Sequence, residues 1–300
     1  MMNRLKRASK VGIIGAGTVG KTMAIGLSRR GYAVVATASR RYESAQTMAR
    51  LVPGCVAYST APEAAAVSDF VLITSPDDVI KCIASSIEWH TGQGVAHCSG
   101  VASLDVLEYA SHLGAHSGAI HPLQTFSSVD SALNNLPGTT FAIEGDDQIQ
   151  PYLTDMAIDL GGTPIYLQPE DKPLYHTSVV FMGGLLTGLA GAVAGMWDQF
   201  GINRAEALKS IIPIMRGGVD TLEAVGIPGA LAGPYVRGDL GTIRKHLEAL
   251  KTQTPELLPA YCHMALIGLP LALEKGRVTD EQAAAIKELL RKALANIPDH

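Results

Sequence analysis

Cysteine is scarce in this sequence, and its cysteines are widely spaced. The 300 residues include four, at Cys55, Cys82, Cys98 and Cys262, and no two of them form a closely spaced pair. Structural zinc sites and disulfide frameworks are usually built from such pairs. We therefore expect neither a metal site nor disulfides, and the composition favours a reducing compartment, the cytoplasm.

Charged and aromatic residues are also sparse, at 17% and 5% of the chain. Lys and Arg number 24 against 28 Asp and Glu, so the net charge is −4 and no basic excess exists to attract a phosphate backbone. Nucleic acid is therefore not an expected partner. The hydrophobic fraction of 47% excludes a disordered chain. At about 150 residues per domain, a chain of 300 residues is expected to form two domains.

One long stretch lacks charge altogether. Ser178–Trp197 has no charged residue over twenty positions, the length of a membrane span. Five glycines dilute its hydrophobicity, however, and no basic flank orients it. We expect a fully buried helix, in which small residues four apart, such as Gly184 and Gly188, let another helix approach closely. A membrane span is the alternative.

Short apolar segments alternate with helical ones in the first part of the chain. The expected strands are Val11–Ile14, Ala33–Ala38, Cys55–Tyr58, Phe70–Thr74, Gly94–His97, Ala115–Ile120, Thr139–Glu144 and Pro164–Leu167. The expected helices are Lys21–Arg30, Tyr42–Leu51, Asp77–Ser86 and Gln148–Leu160. This alternation predicts an α/β fold of the Rossmann type, a doubly wound parallel sheet with helices on both faces.

Strand signals end at a polar segment with two prolines, Gln168–Pro173. Helical signals continue beyond it, with expected N-terminal caps at Asn203, Asp239 and Thr279. We therefore predict a dinucleotide-binding Rossmann domain over residues 1–168 and an all-helical domain over residues 169–300.

A glycine-rich motif follows the first strand and opens the first helix. It consists of Gly15, Ala16, Gly17, Thr18, Val19 and Gly20. In this context the first glycine permits a tight turn, the second lets a pyrophosphate approach the backbone, and the third packs the helix against the strand. Amides at the helix N-terminus would bind the pyrophosphate. The alternative is a glycine-rich turn that binds nothing.

The end of the second strand indicates which dinucleotide binds. An NAD site usually has Asp or Glu about 20 residues after the glycines, but here Ser39 is followed by Arg40 and Arg41. A hydroxyl and two guanidinium groups suit the 2′-phosphate of NADP(H), which a carboxylate would repel. We predict NADP(H) as the cofactor, and a solvated surface turn is the alternative.

Polar residues at two later strand ends are expected to border the nicotinamide, because ligands of open α/β sheets lie outside the carboxyl ends of the strands. Thr74, Ser75 and Pro76 follow one strand, and Ser99 and Gly100 follow another. We assign the first three and Ser99 to the cofactor, and Ser99 and Gly100 to the substrate. The alternative is that the hydroxyls only cap the following helices.

Two histidines are candidates for catalysis. His121 precedes Pro122 at the end of a predicted strand, and His176 lies near the start of the long helix. An ordinary imidazole pKa near 6.5 suits proton exchange with a substrate oxygen. The alternatives are a backbone hydrogen bond for His121 and a satisfied core position for His176. Gln124 and Arg237 are candidate substrate ligands, and an internal salt bridge is the simpler role for Arg237.

Several segments together resemble one family. Ala119–Phe126, Tyr175-His176 and Leu231–Asp239, with the glycine motif, are similar to a group of Rossmann-like NADP oxidoreductases that carry a poorly characterised helical C-terminal domain. More distantly, the layout is similar to ketopantoate reductase, pyrroline-5-carboxylate reductase, 3-hydroxyisobutyrate dehydrogenase and prephenate dehydrogenase. The last also has a His-Pro pair, with the histidine at the reacting centre.

The resemblance implies hydride transfer to or from a small oxo acid, imine or hydroxy acid held between the domains, and a homodimer formed largely through the helical domain. Two positions depart from the relatives. Gly183 stands where relatives usually carry Asn, seven residues after His176, and the one nearby lysine, Lys172, lies in the predicted linker. These departures keep open an alternative function, a sensor or regulatory protein that binds the dinucleotide without turning it over. The glycine-rich site, the polar strand ends and the two histidines are more than such a sensor needs, so an oxidoreductase is the preferred interpretation.

Overall fold

The structure, a computed structural model, describes residues 5–296. The chain divides between Gly183 and Gly184 into two compact units.

The first unit is built on one eight-stranded sheet. Its strands are β1 (Lys10–Ile14), β2 (Ala33–Ala38), β3 (Val56–Tyr58), β4 (Phe70–Ile73), β5 (Gly94–His97), β6 (His116–Leu123), β7 (Thr140–Gly145) and β8 (Thr163–Tyr166). They lie in the order β3-β2-β1-β4-β5-β6-β7-β8. The chain reverses direction across the sheet at β1, as in a doubly wound fold, so the predicted fold class is confirmed.

Helices cover this sheet. They are α1 (Thr18–Arg29), α2 (Tyr42–Leu51), α3 (Ala61–Ala66), α4 (Asp77–Ser85), α5 (Glu108–His112), α6 (Val129–Asn135), α7 (Gln150–Asp159) and α8 (Lys172–Val180). One apolar core includes Met23 of α1 and Phe141, and a second includes Ile80 of α4 and Val95. Burial by two separate cores explains why the strands are almost continuously apolar.

One strand pair departs from the expected parallel arrangement. β7 pairs antiparallel with β6, so that Leu123 lies opposite Thr140 and Ala119 lies opposite Glu144. The chain therefore re-enters the sheet next to the carboxyl end of β6. A parallel strand would instead have to begin next to the amino end of β6. The short connection through α6 does not cross the length of the sheet, and the sheet is therefore mostly rather than wholly parallel.

The second unit is helical over its described residues. Its helices are α9 (Leu186–Met196), α10 (Arg204–Gly229), α11 (Leu240–Gln253), α12 (Leu258–Glu274) and α13 (Asp280–Ala295). The predicted caps are confirmed, because the side chains of Asn203, Asp239 and Thr279 each accept a hydrogen bond from the amide three residues later. Ile243, Cys262 and Ile286 join α11, α12 and α13 in one apolar core.

The division at Gly183 lies beyond the predicted boundary at residue 168. The reason is that α8 is tied to the sheet by polar contacts. The ammonium group of Lys172 donates to Glu144 of β7 at 3.0 Å, and the Tyr175 hydroxyl lies 2.9 Å from Nδ1 of His121 on β6. Residues 169–183 therefore group with the sheet rather than with the helical unit.

The segment Ser178–Trp197 is helical, with one π-helical turn at Phe181–Leu185. It is not buried in the single chain, since Phe181, Met182 and Leu185 are 58%, 70% and 53% exposed. The expected burial is not met within the single chain, and burial of the helix in a dimer stays a prediction, because an uncharged sequence shows that a face is apolar but not what covers it. By length and hydropathy, Pro169–Phe200 and Pro255–Glu274 are both able to cross a membrane.

Candidate active site

The glycine-rich loop is tightly packed at two glycines and open at the third. Gly15 has a φ of +115°, which L side chains rarely adopt, and a Cβ there would lie 2.8 Å from the Thr74 carbonyl carbon. A Cβ at Gly20 would collide with the Gly15 carbonyl oxygen. At Gly17, by contrast, a Cβ would meet no atom within 4 Å. The backbone at Gly17 is therefore open to a ligand.

The N-terminus of α1 is suited to an anion. Gly17 is its N-cap residue, so no side chain caps the first amides, and the first turn of α1 carries no acidic residue. Uncapped amides and the positive end of the helix dipole together attract phosphate groups. The predicted residues Thr18, Val19 and Gly20 form this first turn.

A cavity of about 660 Å³ lies beside the glycine loop. It brings together the predicted residues Gly15, Ala16, Gly17, Ser39, Arg40, Arg41, Thr74, Ser75 and Pro76. These residues come from the ends of β1, β2 and β4, which are neighbours in the sheet. The cavity therefore lies at the carboxyl edge of the sheet, at the reversal of strand order where ligands bind in such folds.

The two arginines at the cavity wall are exposed and unpaired. Within the described chain, neither the Arg40 nor the Arg41 guanidinium group takes part in a hydrogen bond or an ion pair. Asp78 contributes a carboxylate to the same wall. Both guanidinium groups therefore keep all their donors available for an anion.

Thr74 and Ser75 line the cavity and also hold its shape. The Thr74 hydroxyl donates to the Gly15 carbonyl at 2.7 Å, and the Ser75 hydroxyl donates to the Ile14 carbonyl at 3.4 Å. Their donors are therefore used on the loop, and only their oxygen lone pairs remain for a ligand.

His121 and His176 lie side by side in the first unit. Their ring centroids are 5.9 Å apart, and His121 also contacts Tyr175 edge to face at 5.6 Å. Gly100 packs against both imidazoles, because a Cβ there would lie 2.6 Å from Cδ2 of His176 and 2.9 Å from Nε2 of His121. The structure thus brings together three of the predicted residues, His121, His176 and Gly100.

The loop that carries Gly100 is held by a buried histidine that the sequence did not single out. Nδ1 of His97 accepts from the Ser99 amide at 3.1 Å, and Nε2 lies 3.4 Å from the Ser103 carbonyl. The Ser99 hydroxyl accepts from the amides of Val101 and Ala102. Ser99 is therefore engaged in its own loop and does not line the cavity of about 660 Å³.

Burial keeps His121 and His97 neutral at physiological pH. The pKa of His121 is lowered to about 4, mainly by burial and also by His176 and Lys172, while Asp77 opposes them. Burial likewise lowers the pKa of His97 to about 3. Burial raises the pKa of the Tyr175 hydroxyl to about 12. At neutral pH His121 therefore contacts a neutral phenol and carries no charge of its own.

Lys172 is a site residue that sequence reasoning placed in a linker. It is the first residue of α8, and 3% of its surface is exposed. Its pKa is lowered by burial, against the opposing effect of its ion pair with Glu144. Lys172, Tyr175 and His176 are spaced to share one face of α8. That spacing in the sequence is the signal that could have found the group.

Gln124 and Arg237 are the other two predicted substrate ligands. The Gln124 side chain is used within its own loop, donating to the Asn135 carbonyl and accepting from the Thr125 amide. Arg237 belongs to the second unit and is exposed. Over residues 5–296 it forms no ion pair, so the expected internal salt bridge is absent there. In the same part of the chain, no three His, Cys, Asp or Glu side chains form a group that could hold a metal ion.

The two halves of the sequence match two family models. Residues 3–122 match the Rossmann-like domain, and residues 139–267 match the domain of unknown function DUF2520. A comparison with curated protein sequences finds no match.

Solved structures share the fold over nearly the whole chain. A protein of Bacteroides fragilis described as an NADP oxidoreductase has a TM-score of 0.71 and 20% identity, over 88% of this chain and 99% of its own. A reductive aminase of Aspergillus terreus in complex with NADPH has a TM-score of 0.58 and 15% identity, over 96% and 94%. The 1-pyrroline-5-carboxylate reductase of Streptococcus pyogenes has a TM-score of 0.58 and 17% identity, over 97% and 100%.

Proposed function

From a chain that joins a Rossmann-like domain to a DUF2520 domain, we propose an NADP(H)-dependent oxidoreductase that transfers hydride to or from a small oxo acid, imine or hydroxy acid. The structural neighbours named above support this assignment, since they include an NADPH-bound aminase and a pyrroline carboxylate reductase.

One observation carries the choice of cofactor. The unpaired guanidinium groups of Arg40 and Arg41 line the same cavity as Gly15 and Gly17. The open backbone at Gly17 leaves room for the pyrophosphate. The arginines then lie where a 2′-phosphate attached to the adenosine ribose would need them. When bound, NADPH supplies the hydride.

The protein's own groups bind and orient the substrate. In this proposal His121 and His176 hold the substrate oxygen or nitrogen, and Gly100 leaves their adjoining faces free of a side chain. The neutral imidazole of His121 exchanges hydrogen bonds without the cost of burying a charge.

We further propose that the enzyme is a cytoplasmic homodimer. A second copy would cover the exposed apolar helix at Phe181, Met182 and Leu185 through its helical unit. Such a dimer would supply the burial expected for this helix from its sequence, and membrane insertion is the competing outcome.

Calorimetric titration with NADPH and NADH tests the cofactor assignment directly. We expect NADPH to bind at least about tenfold more tightly, because charge-assisted hydrogen bonds contribute about 1.5–3 kcal/mol. Equal affinities would contradict it. A panel of oxo acids, cyclic imines and acyl semialdehydes, followed by NADPH absorbance, then tests turnover. Tight NADPH binding with no turnover across such panels would favour the sensor or regulatory alternative.

A further inference from the structure

Two histidine–tyrosine pairs of nearly the same geometry occur in this chain. Nδ1 of His121 lies 2.9 Å from the Tyr175 hydroxyl, with the rings 5.6 Å apart at 87°. Nδ1 of His246 lies 3.0 Å from the Tyr261 hydroxyl, with the rings 5.7 Å apart at 86°. The first pair belongs to the candidate active site, and the second belongs to the helical unit.

The direction of the His121–Tyr175 hydrogen bond follows from what the phenol can do. A tyrosine hydroxyl has one hydrogen to donate. Among the described residues, the hydrogen bond with His121 is the only one that the Tyr175 hydroxyl forms. If Nδ1 of His121 carried the hydrogen, the half-buried phenol would accept and its own hydrogen would lack a protein acceptor. Donation from Tyr175 to Nδ1 avoids this loss.

The tautomer of His121 follows from that direction. A neutral imidazole carries one hydrogen, so when Nδ1 accepts, Nε2 carries the hydrogen. His121 is neutral because its pKa is lowered to about 4 by burial, with His176 and Lys172 adding to the effect and Asp77 opposing it. Over residues 5–296, Nε2 of His121 has no hydrogen-bond partner. It faces the backbone of Gly100, which has no side chain to cover it.

We propose that Tyr175 is a positioning residue that holds His121 in the Nε2–H tautomer, so that His121 presents a hydrogen-bond donor to the substrate. This inference rests on the proposed function, because only an enzyme with a carbonyl or imine substrate would use that donor. The donor polarises a carbonyl or imine group, whose oxygen or nitrogen gains electron density as hydride arrives. The other tautomer would present a lone pair, which suits a hydroxyl or amine donor. Tyr175 thereby favours recognition of the C=O or C=N form.

The tautomer can be measured without cofactor or substrate. Long-range ¹H–¹⁵N correlation spectra of the full chain, with ¹⁵N-labelled histidine, distinguish a protonated from an unprotonated ring nitrogen. In the wild type we expect His121 to be protonated at Nε2 only. In Tyr175→Phe, which keeps the ring and removes the hydroxyl, we expect both tautomers. His121 protonated at Nδ1 in the wild type would overturn the proposal, and so would an unchanged tautomer in the variant.

The second pair supplies a matched control. Tyr261→Phe removes the equivalent hydroxyl from His246 and is expected to change the His246 signals while leaving those of His121 unchanged. In the active enzyme, Tyr175→Phe should lower kcat for the carbonyl or imine substrate at least about tenfold, with NADPH affinity within about twofold of the wild type. If the wild type does not bind NADPH, the proposed function is contradicted. The tautomer proposal is not affected by that result, because the tautomer is measured in the free protein.

Discussion

Lys172 and Glu144 form an ion pair in which Nζ and Oε2 are 3.0 Å apart and only 4% and 8% of the two side chains are exposed. Removing one partner of such a pair usually costs about 3–5 kcal/mol, since the other charge remains buried and uncompensated. The pair joins the start of α8 to β7, and the face of α8 that carries Lys172 also carries Tyr175 and His176. The placement of both residues beside His121 therefore depends on a contact that has no assigned part in the reaction.

Arg40→Ala should remove most of the preference for NADPH over NADH. Loss of a charge-assisted hydrogen bond to the 2′-phosphate costs about 1.5–3 kcal/mol, so NADPH affinity should fall about tenfold or more while NADH affinity stays nearly constant. Calorimetric titration measures both. Arg50→Ala is the matched control, because Arg50 is an exposed arginine at the other end of α2. An unchanged preference in Arg40→Ala would remove the basis of the cofactor assignment.

Gly17→Ala and Gly20→Ala should separate cofactor binding from stability. A Cβ at Gly17 meets open space, whereas one at Gly20 collides with the Gly15 carbonyl oxygen. We expect Gly17→Ala to unfold within about 1 kcal/mol of the wild type but to bind NADPH at least about tenfold more weakly. Gly20→Ala should lose about 1–3 kcal/mol of unfolding free energy through overpacking. Urea unfolding and NADPH titration of both variants measure these effects. Wild-type NADPH affinity in Gly17→Ala would argue against the pyrophosphate site.

His121→Asn should abolish turnover while preserving the fold. Removing a proton-exchanging or hydrogen-bonding group at the reacting centre typically costs about 10²–10⁴ in rate. The unfolding free energy should fall by no more than about 1–3 kcal/mol, the cost of leaving the Tyr175 hydroxyl without its partner. Steady-state rates on the substrate found by screening are compared with NADPH affinity. Turnover within about threefold of the wild type would show that His121 has a structural role only.

Acidification should destabilise the protein before its carboxylates titrate. The pKa values of His121 and His97 are lowered to about 4 and about 3 in the folded protein, from an ordinary value near 6.5. The unfolded chain therefore binds protons that the native state does not, so the unfolding free energy falls as pH drops below about 6.5 and continues to fall towards about 4. Urea unfolding between about pH 7.5 and about pH 5 measures the slope. The slope should be shallower in His121→Asn than in the wild type, and an equal slope in the two proteins would contradict the prediction.

Gly188→Leu should disrupt the proposed dimer without disturbing the chain itself. A Cβ at Gly188 meets nothing within 4 Å in the described chain, so the added side chain is tolerated unless another copy packs there. Light scattering at micromolar concentration should find a dimer for the wild type and a monomer for the variant. A monomeric wild type would contradict the proposal, and extraction only by detergent would favour membrane insertion.

Much of the fold was predictable from local sequence. Each of the eight described strands coincides with an expected apolar run, and α2 spans Tyr42–Leu51 as predicted. The helix α3 was missed, although Thr60 and Glu63 form the capping box that announces it. The direction of β7 could not be read in the same way, because an apolar run looks alike whichever way the strand enters the sheet.

The candidate site was predictable where a motif fixes it and not where distant residues meet. The glycine loop was identified from its motif, and Arg40 from its distance along the sequence after the last glycine of that motif. The ion pair of Lys172 could not be predicted because its partner, Glu144, lies 28 residues away, and a lysine between two prolines looks like part of a solvated linker. The contacts of the His97 ring could not be predicted, because a strand residue gives no sign that its ring will bridge the loop that follows.

The hydrogen bond from Thr74 to the Gly15 carbonyl joins positions 59 residues apart in the chain. Contacts of such separation close long loops, and their entropic cost makes them slow to form during folding. The wall between β1 and β4 is complete only after that closure, so the nucleotide cavity does not exist in a chain whose β1 and β4 have not yet paired. Coenzyme therefore binds only chains that have passed this step, and it shifts the folding equilibrium by mass action without hastening the closure.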